Sequence, residues 1–96
     1  MSSSALDSTL PPADEPTVRA HASELQALAE QMRITKLRFA SAGRLVGHVD
    51  AEMDAFDVID FDIAATDLLG AAVELFSDAV LGKPNVSPDL VTARPL

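Results

Sequence analysis

Carboxylates are the only side chains in this sequence dense enough to do chemistry. From Asp50 to Asp78 there are nine Asp or Glu residues and no Lys or Arg. The tightest group is Asp54-Ala55-Phe56-Asp57-Val58-Ile59-Asp60-Phe61-Asp62, and Glu74 follows between Val73 and Leu75. Carboxylate oxygens are the ligands that Mg²⁺ prefers, and the ion keeps several of its waters beside them. Just upstream lie Arg33, Lys36, Arg38 and Arg44. A basic stretch followed by an acidic one fits intramolecular pairing, or an anion site next to a cation site. Other chemistries have little to work with. There is no cysteine, so disulfides and thiolate metal sites are excluded. His21 and His48 match no ligand spacing, and no Ser/His/Asp arrangement points to nucleophilic catalysis.

The elements that must position these acids belong to one domain, since 96 residues leave no room for a second core. The hydrophobic fraction of 48% is that of a globular chain, with a mean hydropathy of +0.18. No run approaches the ~18 uncharged apolar residues of a membrane span. The first residues, Met1 to Pro16, have neither the basic nor the apolar region of a secretory signal. A cytoplasmic location is therefore expected. The formal charge of −8 argues against direct nucleic-acid binding, which needs a cationic footprint.

Composition divides the chain at residue 16. Residues 1–16 are rich in Ser, Pro and acid and are expected to form a disordered head, with the folded domain at 17–96. Pro16 and Thr17 open a helix whose stripe is Val18, Ala22, Leu25, Leu28, Ala29 and Met32. Ile34 to Phe39 alternates Leu37 and Phe39 with Lys36 and Arg38, as a half-buried strand does. Ala40-Ser41-Ala42-Gly43 is turn-like. Arg44 to Gly47 then reads as a loop or one helical turn, or else Ala42-Gly43 is a hairpin turn with Leu45 to Val49 returning. Phe56 to Ile63 reads as a second strand on its β-branched and aromatic content, although Asp is usually depleted in strands. Ala64 to Leu69 reads as a short helix closed by Gly70, and Ala72 to Phe76 as a third strand. Ser87 and Pro88 open a short helix reaching about Ala93. The expected fold class is a small α/β (α+β) domain, a three-stranded mixed sheet flanked by helices.

In that order the segments resemble the minimal nucleotidyltransferase family, small relatives of the polymerase-β-like nucleotidyltransferases. Val18 to Phe39 is similar to the family's first helix and strand. Phe39-Ala40-Ser41-Ala42-Gly43-Arg44 is similar to its phosphate-binding turn, and Asp54 to Asp62 resembles its aspartate-bearing strand. Leu68 to Phe76 looks like the family's leucine-leucine-glycine helix end and third strand. The chain departs from the pattern at Ala40 and Leu45, where the family has glycine, and in spacing its acids Asp-x-x-Asp. The resemblance implies adenylyl transfer from ATP with Mg²⁺. It would place Asp54 and Asp57 on the metal, Glu74 as the third catalytic acid, and Ser41 and Arg44 on the phosphates. Asp60 and Asp62 are the alternative metal pair. Members of the family are often antitoxins of a HEPN-type ribonuclease toxin, so a protein partner is implied.

A plainer reading runs beside each of these. An acidic run is commonly a solvated edge, Ser41 a turn former, Arg44 a partner for nearby acids, and Glu74 the outward residue of a strand. The functional alternative to nucleotidyl transfer is a catalytically inactive acidic protein that neutralises a basic partner by direct contact.

Overall fold

The computed structural model describes residues 10–50 and 55–96, with side chains described from residue 58 onward in the second segment. The first helical region is two helices, α1 (Glu15–Ala20) and α2 (Ala22–Gln31), broken at His21, whose φ of −112° and ψ of 20° leave the helical range. Asp14 caps α1 by accepting the Thr17 N–H at 3.0 Å. At the break the His21 ring nitrogen Nδ1 donates to the Thr17 carbonyl at 3.0 Å. The expected stripe survives the break, with Val18, Leu25 and Ala29 buried. The folded part also begins before the expected boundary at residue 17: Ala13 is fully buried. Its carbonyl accepts the Gly43 N–H at 2.7 Å, and its N–H donates to the Ala72 carbonyl at 2.9 Å.

The basic segment forms a hairpin, β1 (Ile34–Ser41) and β2 (Arg44–Val49), turning at Ala42-Gly43. The second of the two readings left open at Arg44 to Val49 is therefore the one the chain adopts. Gly43 has φ +74°, and a Cβ there would lie 2.8 Å from the Pro12 Cβ, so turn and N-terminal strap both require glycine. Pairing slips between Thr35 and Arg38, where Lys36 takes φ +56°. This bulge sets Ile34 and Leu37, three residues apart, on one buried face. Gly47 lies beneath them: a Cβ would come within 2.9 Å of the Ile34 Cγ2 and 3.2 Å of the Leu37 Cδ2. A glycine inside the Arg44 to Val49 run, which reads as a loop signal, is thus a packing requirement of a strand.

Phe56 to Ile63 is the largest departure. It is not a strand but the first part of α3 (Ala55–Leu69), fifteen residues long. In a short window, apolar residues at 56, 58, 59, 61 and 63 fit either period. Continued to Leu69, the spacing Val58, Phe61, Ala65, Leu69 is helical, and Phe61 and Ala65 are fully buried. Gly70, at φ +66°, closes the helix with its N–H on the Thr66 carbonyl at 2.9 Å. The helix is the crossover that parallel pairing of β2 with β3 (Glu74–Ser77) demands. A 3₁₀ turn (Asp78–Gly82), a short α4 (Pro88–Val91) and β4 (Arg94–Pro95) complete the chain.

Among the described residues the sheet has four strands, not three, in the order β3-β2-β1-β4, with β1 antiparallel to both its neighbours. The added strand, β4, is tied to α1: Arg94 reaches Glu15 at 3.2 Å, and Arg19 donates to the Pro95 carbonyl at 3.1 Å. One face of the sheet, with Phe39, Leu45 and Leu75, packs on α2 and α3. On β2 the alternate residues Arg44 and Val46 face the other way. There Val46 is fully buried, and Leu90 of α4 is buried as well.

Candidate functional site

Two neighbourhoods bring polar chemistry together. The first stands at the start of β2, on the sheet face away from the main core. Ser41 donates to Asp89 Oδ2 at 2.6 Å, and Arg44 Nη1 lies 3.2 Å from Asp89 Oδ1 and 3.0 Å from Oδ2. The Ser41 hydroxyl first, with the Arg44 charge behind it, holds the Asp89 carboxyl below the usual carboxylate range. The Arg44 guanidinium also stacks over Phe76, 4.8 Å from the ring centre. Hairpin geometry builds this cluster: Ser41 and Arg44 are the paired residues flanking the turn, and Asp89 is delivered by the first turn of α4. Asp89 carries no signal in the sequence beyond its place after Ser87-Pro88. Ser41 and Arg44, which the sequence does single out, are both already engaged by its carboxylate. A phosphate would have to displace Asp89 to claim the Ser41 hydroxyl and Arg44 Nη1.

The second neighbourhood joins α3 to the outer edge of β3. In a parallel pair, alternate N–H groups of an edge strand point away from the sheet. Here the outward N–H of Leu75 donates to Asp62 Oδ1 at 2.7 Å, and that of Val73 to Thr66 Oγ1 at 3.1 Å. Asp62 and Thr66 are one helical turn apart. Together they occupy donors that an unprotected edge would offer to another chain. Asp62 is half-buried, and loss of solvent pushes its carboxyl up to about 6. The Leu75 N–H opposes that rise, and the nearby Glu74 charge adds to it. A cleft of about 500 Å³ opens beside it, lined by Leu10, Asp62, Ile63, Thr66, Asp67 and Val73 among others.

The acids named from the sequence divide as follows. Asp54 lies outside the described residues. Asp57 is in the first turn of α3. Asp60 and Asp62, which would share a face on a strand, diverge by about 200° on a helix: Asp60 is exposed and Asp62 turns to β3. Glu74 is exposed at the start of β3, beside Arg44 in the strand register and close to Asp62. Ser41, Arg44 and Glu74 thus meet at one end of the sheet. Asp57 is at the far end of α3, about 18 Å of helix axis from Leu69 at ~1.5 Å per residue. Among the described residues, no three His, Asp or Glu gather as a metal site would require. His48 pairs with Asp78 at 3.1 Å.

The outward face of α3 has another character. Ile59 and Ile63, one turn apart, are 49% and 63% exposed. Asp60 and Asp67, both exposed, flank them at helical spacing. No helix among the described residues is long and apolar enough to cross a membrane. No family model, curated protein or solved structure matches the chain.

Proposed function

We propose that this protein works by contact: it presents the outer face of α3 to a basic protein partner and neutralises it without chemistry of its own. The observation that carries this reading is the exposed pair Ile59 and Ile63 bordered by Asp60 and Asp67. Apolar residues at i and i+4 on a helix surface are the anchors by which one helix docks into another protein's groove. The flanking carboxylates and the net charge of −8 favour a cationic rim on that groove. Such complementarity speeds encounter and selects the partner more than it adds affinity. The resemblance to the minimal nucleotidyltransferases supplies a partner class, a HEPN-type ribonuclease toxin, and so an antitoxin role.

The same resemblance supplies a second reading, Mg²⁺-dependent AMP transfer from ATP. The meeting of Ser41, Arg44 and Glu74 at one sheet end favours it. Against it stand the engagement of Ser41 and Arg44 by Asp89 and the distance of Asp57 from Glu74 along α3.

The test is a binding titration with the partner recovered from the producing cells, identified and repurified. Binding should weaken at least tenfold in Ile63→Asp, should weaken with added salt, and should not change in Asp57→Asn. Binding indifferent to Ile63→Asp and to salt would remove the contact reading. A thermal shift that needs ATP and Mg²⁺ together, and is lost in Asp57→Asn, would establish the nucleotidyltransferase reading in its place.

A further inference from the structure

We propose that the cleft between the outer face of β2 and β3 and the loop before α4 binds a small monocarboxylate with an apolar, aromatic body. The cleft measures about 390 Å³, within the range of ligand pockets. Phe76, Val80, Val86 and Leu90 give it apolar walls, and Arg44 and Lys83 stand at its border. This is an unusual place in so acidic a chain: two of seven cations border it, and no Asp or Glu lines it among the described residues.

Arg44 is held ready for an anion. Stacking on Phe76 and the bond from Nη1 to Asp89 fix the guanidinium plane. The opposite edge, Nε with Nη2, makes no hydrogen bond among the described residues. Two parallel N–H donors on that edge match the two oxygens of a carboxylate. Charge selects the ligand's valence. Asp89 neutralises one of the two cations and Glu74 stands beside Arg44 in the strand register, so little net positive charge remains at the cleft, which suits a monoanion better than a phosphate dianion. The apolar walls then favour a ring over a short polar chain. This site is separate from the docking face of α3 and does not rest on it.

The experiment is a nuclear magnetic resonance titration of the ¹⁵N-labelled full chain with three probes: benzoate, neutral benzamide and phenyl phosphate. Benzoate should shift the amides of Phe76, Val86 and Leu90 first, and should bind at least tenfold more tightly than benzamide. Lys83→Met, at an exposed position, should weaken benzoate several-fold while leaving the fold intact, and Arg44→Gln should abolish its binding. Should Arg44→Gln fail to fold, Lys83→Met and the benzamide comparison decide. Equal binding of benzoate and benzamide, shifts centred outside the cleft, or benzoate affinity unchanged in Lys83→Met would overturn the site. Tighter binding of phenyl phosphate than of benzoate would overturn the assigned ligand class.

Discussion

Replacing Asp62 by Asn should make the protein more stable at neutral pH and leave it unchanged in acid. Asp62 accepts the Leu75 N–H at 2.7 Å, and its carboxyl is raised from 3.8 to about 6 by burial, with Glu74 adding repulsion. A raised folded-state pKa means that the folded protein holds a proton the unfolded chain has released. This group's contribution is therefore fully present below about pH 4, is lost as pH rises towards about 6, and stays lost above. Two pKa units correspond to roughly 3 kcal/mol at most. The side chain is only half-buried, and solvent screening brings the expected figure to about 1–2 kcal/mol. Asparagine keeps the acceptor for Leu75 and carries no charge to desolvate. Urea unfolding followed by circular dichroism at pH 4, 5, 6 and 7 would give the difference between variant and parent, in which the other titrating acids cancel. That difference should be near zero at pH 4 and grow to about 1–2 kcal/mol in favour of Asp62→Asn at pH 7. A difference that does not change with pH, or an Asn variant less stable at pH 7, would refute the account of Asp62 as a desolvated edge cap.

Four further outcomes follow from the packing. Gly43→Ala must hold a side chain at φ +74° against Pro12 and the Ala72 carbonyl, so unfolding experiments should show a loss of about 2–4 kcal/mol. Thr66→Val removes the acceptor of the Val73 N–H at the sheet edge. It should lower stability by roughly 1–3 kcal/mol and speed amide hydrogen exchange at Val73 before the rest of β3. Phe61→Ala, at a fully buried position of α3, should lose about 3–5 kcal/mol in the same assay. Ile63→Asp, on the exposed face of the same helix, should change melting little. That contrast separates the packed face of α3 from its exposed face.

The Asp62 and Arg44 sites show how acids and cations read alike in sequence can be put to different uses. Asp60 and Asp62 have the same residue type two positions apart, yet one is solvated and the other caps a strand. Asp89 is a single acid far from the dense run, yet it organises Ser41 and Arg44.

Local physics alone determined several elements. The stripe from Val18 to Met32 could bury only at helical spacing, although the chain divides it between α1 and α2 at His21. Leu37 and Phe39 alternate with charges as a strand with one wet face must. Gly70 ended a helix, Ser87-Pro88 began one, and −8 charges kept the surface acidic. What the tertiary structure decided was every case in which two periods fitted one short window, or a glycine served a distant contact. Phe56 to Ile63 becomes helical because fifteen residues must cross over the sheet to make β3 parallel to β2, and because Phe61 and Ala65 find the core only at helical spacing. Gly47 belongs to a strand because a bulge at Lys36 stacks Ile34 and Leu37 above it. Asp89 meets Ser41 and Arg44 across more than forty residues of chain. Such contacts are set by packing between elements, which no local pattern encodes.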